Sequence, residues 1–444
     1  MITLNWRAAV EALGQKLAWR ARLRPRLRRM SYRVSPWKNL AAFVEPLEGR
    51  QLLTTITVTT ASDAISHSGV SLRDAINTAN KDTVADTIQF DAAVNNQTIL
   101  LSQGELLITT PITITGLGAT HLTIHGNNAS RIFDIANTSS NVNVTITGMT
   151  LQNGNGVGAN ASGSGGAIYN TETLTIEDCV ITVNTAYGTT TSEAVGGIYN
   201  TGKLTSNNNV ISSNYAYGFE PVGGGSNGGA ATGGIRNTGT FNSTGDTILA
   251  NYAYGGDGGY ADEEGGTGGN GGRATGGINN SGTFTSQNDS FSLNVGVGGN
   301  GGLGGTGGSE FIGGFGGTGG DAAGAVYNSK LLNSTNDIIS SNTGTGGTGG
   351  SGGFGSQDNP GGKGGNGGFG VGGVLSSGTT TSTISGDTLT NNYGNGGNAG
   401  KGGNGGQGKT TDEYNYAGGD GGAGGIGGIG AGAVCVRSGI LEST

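Results

Sequence analysis

Four aspartates hold one equivalent place in successive copies of a repeated segment: Asp246, Asp289, Asp337 and Asp387. Asn209 and Cys179 hold that place in the two copies before them. Carboxylates that recur once per repeat could do chemistry if the repeats stack. Stacked strands lie roughly 4.8 Å apart, and carboxylates on one outward face would then approach the roughly 5–5.5 Å separation used by retaining glycoside hydrolases. Like charges at that range raise one pKa or recruit a cation, Ca2+ being the natural one for oxygen ligands. All four are thus weak catalytic candidates, and Asp289 and Asp337 are weak metal candidates. A turn role is the stronger reading, because each aspartate directly follows Gly or Asn just before a short strand-like run.

Other reactive groups are sparse. His67, His121 and His125 do not recur in the repeats. His121 and His125 would share a face of one strand, but four residue steps hold them roughly 13 Å apart, too far to grip one ion. Cys179 and Cys435 form neither a metal pattern nor a disulfide scaffold. Arg236 and Arg273 are the basic residues nearest the repeat face, and neither stands beside a convincing acidic cluster. A lyase would need such a base near a cation-bound acidic sugar. The glycine runs lack the Lys-Ser/Thr of a phosphate loop and the spaced aspartates of a calcium roll. The reading is no cofactor, with Ca2+ possible.

The elements that must position these residues are unusual in composition. Glycine contributes 96 of 444 residues, proline only 6, and charged residues 12%. That little proline, without a G-X-Y period, excludes collagen. Net charge is −8, yet half of the 22 Lys and Arg lie in residues 1–50. The body is therefore strongly acidic, which argues against nucleic acid as its partner and repels acidic polysaccharide. Residues 1–50 read as a basic leader or targeting segment, disordered or helical. No window has the 18 apolar residues of a membrane span.

Residues 51–160 read as a capping helix followed by irregular coils. SLRDAINTAN, residues 71–80, is a short amphipathic helix with Ser71 as its cap and Asp74 at the third helical position. Such a helix could cover the apolar end of a stack. From residue 87 onward short β-branched runs alternate with Gly and Asn.

Residues 161–444 repeat. GGAIYNTETLTIEDCVITVN, GGIYNTGKLTSNNNVISSN and three later copies keep two asparagines at fixed internal spacing, as in Asn170 and Asn184 or Asn200 and Asn214, and residues 371–392 are a degenerate copy with two extra residues. The distance between copies grows through glycine-rich inserts. A constant core with elastic connections is the pattern of a solenoid. Three apolar rungs run through it. Ile168, Ile198, Ile235, Ile278, Val326 and Val374 form the first; Leu174, Leu204, Phe241, Phe284 and Leu332 the second; Ile181, Ile211, Ile248, Phe291, Ile339 and Leu389 the third. Each coil sends about three short strands inward. The fold class is all-β, a right-handed parallel β-helix with a short N-terminal capping helix and long glycine-rich loop insertions. Asn170, Asn200, Asn237, Asn280 and Asn328 are expected to form a structural ladder. Tyr169, Tyr199 and Tyr327 stand beside it as outward stacking residues or a sugar platform. The inserts are either loops or packed polyglycine-II-like layers, and any binding specificity is expected there.

VSLRDAINTAN, residues 70–80, resembles the CSLREAI-type motif of bacterial β-helix proteins, with Val70 in place of its cysteine and Asp74 in place of its glutamate. The GGAIYN and GGIYN units resemble the repeats that follow that motif, and those of choice-of-anchor surface proteins. FVEPLEGRQLL, residues 43–53, resembles the LEPR-type segment near the N-terminus of planctomycete secreted and surface proteins. The resemblance implies a right-handed parallel β-helix of the pectin-lyase-like superfold, extracellular or at the cell surface. That superfold hosts lyases, hydrolases and passive adhesins, so it does not decide activity. The favoured function is a non-enzymatic structural or adhesion protein. The alternative is a polysaccharide lyase or glycoside hydrolase working in a groove of the β-helix. Expected partners are polysaccharide, cell-envelope components or other surface proteins.

Overall fold

The structure, a computed structural model, describes residues 54–137, 142–308, 311–378, 380–406, 410–411, 414–415 and 420–443. The basic segment 1–50 and the FVEPLEGRQLL stretch lie outside the described residues.

Short β-branched runs separated by Gly and Asn cannot bury their apolar side chains alone. Here they do so by stacking into parallel sheets that run from coil to coil. An eleven-stranded sheet carries the second rung, and two nine-stranded sheets carry the first and third rungs. Every neighbouring pair in these sheets is parallel and in register. Ile168 pairs with Ile198, Ile198 with Ile235, and Ile235 with Ile278. Leu204 meets Phe241, and Ile211 meets Ile248. All of these side chains are buried in one continuous core, and Phe241 and Phe284 stack with ring centroids 4.9 Å apart. The strand order is that expected of a right-handed β-helix, the hand that parallel connections nearly always take.

Helix α1 (Leu72–Ala79) begins in a capping box. The Ser71 hydroxyl accepts from the Asp74 amide and the Asp74 carboxylate accepts from the Ser71 amide. Its buried face, Leu72, Ala75, Ile76 and Ala79, packs on Thr55–Val58, Asp86–Phe90 and Leu106–Ile108. It thus covers apolar surface at the start of the solenoid.

The repeat coils hold five strands rather than about three. After Val210–Ser212 comes Tyr215–Tyr217, which belongs to a six-stranded tyrosine sheet. Before Ile198–Asn200 comes Ala194–Val195, in a six-stranded alanine sheet. Ala194, Ala216, Ala231, Ala253 and Ala274 pack together as a second small core between these two sheets. A strand of two or three residues offers too little alternation to be read in isolation.

Between the tyrosine and alanine sheets the glycine-rich inserts are packed, not loose. Each leaves the solenoid as one extended arm and returns as another. Gly298, Gly301 and Gly304 donate to Thr345, Thr348 and Ser351 of the next coil, at 2.8, 2.8 and 2.9 Å. Gly299 and Gly302 donate to Gly272 and Gly269 on the returning arm of the coil before, and Gly317 and Gly320 donate back to Gly302 and Gly299. The pattern recurs every third residue, the period of a polyproline-II strand. The inserts therefore form a two-layered fin with polyglycine-II-type bonding. Glycine is required by contact: a Cβ on Gly317 would lie 1.9 Å from the Gly269 carbonyl oxygen. The third residue of each triplet points outward, and its own amide is often satisfied one coil back. Thr318 donates to Asn270 Oδ1 and Thr348 to Asn300 Oδ1.

Candidate functional site

The aspartates stand where the eleven-stranded sheet turns into the third-rung strands. The residue before each of them has left-handed backbone: Gly245 at φ 69°, Asn288 at 55°, Asn336 at 56° and Gly386 at 68°. This explains the Gly or Asn seen there, since other residues resist that region. The turn directs the side chain inward. Asp246, Asp289 and Asp337 are each 1% exposed, and Asp387 is partly buried.

Inside, each carboxylate holds up the coil before it. Asp289 Oδ1 accepts the Asp246 amide at 2.7 Å, Asp337 Oδ1 the Asp289 amide at 2.7 Å, and Asp387 Oδ1 the Asp337 amide at 2.8 Å. Asp246 serves Asn209 in the same way, and Asn209 serves Cys179. The other oxygens meet serines. Ser286 Oγ lies 2.8 Å from Asp289 Oδ2 and also bonds Asp337 Oδ2. Ser334 bridges Asp337 and Asp387, and Ser243 bridges Asp246 and Asp289. A hydroxyl has one hydrogen to give, so a serine between two carboxyls needs one of them to donate in return. Loss of hydration pushes the carboxyl pKa up at Asp246 and Asp337, and to about 7 at Asp289. These carboxyls are arranged to retain protons and hold backbone, not to face a substrate.

The predicted asparagine ladder is a column of buried amides. Asn170 donates to Asn200 at 2.7 Å, and the same bond at 2.8 Å links Asn200 to Asn237, Asn237 to Asn280 and Asn280 to Asn328. A second column, Asn184, Asn214, Asn251, Asn294, Asn342 and Asn392, closes the far end of the third-rung strands.

The other candidates are spread out. His121 bonds Asn96 and His125 bonds Asn153. Burial raises the Cys179 thiol to about 11, which makes it inert. Among the described residues no group of three His, Cys, Asp or Glu side chains could hold a metal ion. Tyr169 and Tyr199 meet edge to face at 5.5 Å, whereas Tyr327 is only 3% exposed. The tyrosine sheet carries a stack that the sequence did not single out. Tyr187, Tyr217 and Tyr254 lie face to face at 5.3 Å. The rings cover one another within the stack, and the end ring, Tyr187, is the most exposed of the three.

Arginines mark the outer side of the first-rung sheet. Arg131 is fully buried, bonds Glu105 at 2.9 Å and lies over the Tyr169 ring. Arg236 pairs with Glu193 at 2.7 Å, a partner far away in sequence and so not visible there. Arg273 has no such partner among the described residues. Its guanidinium carbon sits 3.9 Å from the Tyr327 ring centroid, beside a cavity of about 280 Å³ where the fin meets the solenoid.

No helix of the described residues is long and apolar enough to cross a membrane. No protein-family model matches the sequence, and none of the curated proteins is similar to it. Among solved structures, pectate lyase Pel9A is similar at a TM-score of 0.31 and 16% identity, over 78% of this chain and 72% of that chain. The parallel β-helix is shown by this chain's own strand order and register.

Proposed function

We propose that the chain is a non-enzymatic structural or adhesion-type scaffold working outside the cell or on its surface. The observation that carries the reading is the inward aspartate column. The carboxylates with the best spacing for acid–base work are buried and engaged with backbone amides and serines of neighbouring coils. What the molecule offers a partner is the fin, with hydrogen-bonded layers of backbone displaying one outward side chain per triplet. The likeness of residues 70–80 and of the repeats to CSLREAI-type and choice-of-anchor surface proteins supports the location. Polysaccharide and cell-envelope components are the partners such a surface suits.

Protease shaving of intact native cells tests the reading. Release of fragments from the body of this chain, before any cytoplasmic marker appears, is the expected result. Protection of the chain until the cells lyse would overturn it. A polysaccharide panel assayed with the purified chain and with Asp289→Ala addresses the enzyme alternative. Turnover that disappears in the variant, with the coils still folded, would favour a lyase or hydrolase.

A further inference from the structure

The cavity between the fin and the solenoid is lined by two arginines and a single carboxylate. Arg273, Asp321 and Phe369 are outward fin residues of successive coils, and Arg437 reaches the same place from the last coil. Arg437 donates to Asp321 Oδ2 at 2.6 Å, and the Phe369 amide donates to Asp321 Oδ1 at 3.0 Å. The only carboxylate lining the cavity is therefore already used on both oxygens. Thr318 is used as well, by Asn270. The lining glycine amides are taken up by the fin: Gly271 bonds Thr318, Gly319 bonds Asn366, Gly320 bonds Gly299 and Gly367 bonds Ile426.

Arg273 is what remains. Its guanidinium rests on the Tyr327 ring, and its Nε is buried without an acceptor among the described residues. Asn366 also lines the cavity. It is exposed, and its Oδ1 accepts the Ile426 amide. An unpaired, partly buried cation with a buried N–H is costly unless something meets it. A guanidinium is also the group best shaped to grip a planar or tetrahedral oxyanion. We propose that this cavity is a binding site for a single oxyanion group, a carboxylate or a sulfate, carried on a small or chain-like ligand. Arg273 supplies the charge, Arg437 and Asn366 add donors, and Tyr327 and Phe369 hold the two guanidiniums in place. At about 280 Å³ the cavity suits one charged group rather than an extended ligand. Elsewhere the acidic body repels anions, so binding would concentrate here.

The test is calorimetric titration of the full chain with sodium glucuronate and with sodium sulfate, each at constant ionic strength in sodium chloride. Saturable one-site binding of either is expected. Glucuronate alone would assign a carboxylate ligand, and sulfate alone a sulfate ester. Arg273→Gln should weaken binding roughly tenfold or more. Asp321→Asn keeps the acceptor for Phe369 but removes the competing charge, so it should tighten binding, which a merely structural role would not produce. No binding of either anion, or binding indifferent to both substitutions, overturns the proposal. The measurement uses isolated protein, so its failure is separate from failure of the surface reading.

Discussion

Two columns of polar side chains flank the same strands, one at each end, and they are built from opposite chemistry. Asn209 precedes Val210–Ser212 and Asn214 follows it; in later coils the first place becomes aspartate while the second stays asparagine. Both places sit behind a left-handed residue. In the first column that residue is Gly, Asn or Asp. In the second it is Val183, Ser213, Ala250, Leu293, Ser341 or Asn391, and β-branched Val183 is a poor fit for that region. The second column can hold such residues because its amides complement themselves. Asn251 Nδ2 donates to Asn294 Oδ1 at 2.9 Å and to the Ile211 carbonyl at 2.8 Å, while its Oδ1 accepts from Asn214. An amide both gives and receives, so that column needs no proton and carries no charge. A carboxylate only receives, and its column is completed by serines and by retained protons.

The sharpest break of this contrast is to move the wrong group into the amide column. Asn251→Asp puts an oxygen against two acceptors, Ile211 O and Asn294 Oδ1. Protonation can satisfy only one of them. We expect a loss of about 3–5 kcal/mol, in the range for a buried polar group left opposing its neighbours. Denaturant unfolding at pH 7 reads it, with hydrogen exchange of Tyr215–Tyr217 and Tyr252–Tyr254 locating it. A loss under about 1 kcal/mol would mean the column tolerates either chemistry.

Second in size is the effect of pH on the unaltered chain. Unfolded aspartates release their protons near 3.8, whereas folded Asp289 holds its proton to about 7, and Asp246 and Asp337 are displaced in the same direction by burial. Between these values the folded state binds more protons than the unfolded one. Stability is therefore fully present below pH 3.8 as far as these groups are concerned, and it declines as pH rises toward 7. Unfolding midpoints across pH 4–8, compared with the number of protons taken up on folding, test this. A column of ionised, ion-paired carboxylates would give the opposite slope.

How far these columns were legible in the sequence follows from their geometry. The three apolar rungs and the Asn170–Asn328 ladder could be read because a fixed internal spacing survives every insertion. The direction of the aspartates could not. Strand alternation fails at a corner, and it is the left-handed φ of Gly245 or Asn288 that turns the side chain inward. The five-strand coil was hidden by the brevity of Tyr215–Tyr217 and Ala194–Val195, which make sense only beside their copies. The sequence left the fin open between loops and packed layers for a related reason. Glycine triplets specify nothing alone, and become structure only where Gly302 meets Gly269 and Gly317 meets Gly302. Arg236 and Glu193 are 43 residues apart, so that pair too required the coils to be closed.

The converse exchange should be mild. Asp289→Asn leaves Oδ1 to accept the Asp246 amide and offers Nδ2 to the serines, as Asn209 Nδ2 already does toward Ser206 at 2.8 Å. At pH 5 the variant should match the parent within about 1 kcal/mol. At pH 8 it should be the more stable of the two, because it has no proton to lose. Thermal melts at both pH values decide it, and a variant equally destabilised at each would show that position 289 requires a carboxyl for another reason.

The smallest change examines the serine. Ser286 bonds Asp289 and Asp337 together, and its one hydrogen favours the ionised form of whichever carboxyl receives it. In Ser286→Ala the hydroxyl is lost from a site 1% exposed, at a cost of about 1 kcal/mol where the carboxyls are protonated. Its informative consequence is the direction in which the pH profile moves. Without the hydroxyl the carboxyl that received its hydrogen holds its proton more tightly, so the decline in stability should extend to higher pH and deepen above neutrality. If Ser286 merely fills space beneath the corner, the alanine variant should shift the whole profile down by the same amount at every pH. A parallel shift would remove the serine from the proton-sharing column and leave the contrast with the amide column resting on the aspartates alone.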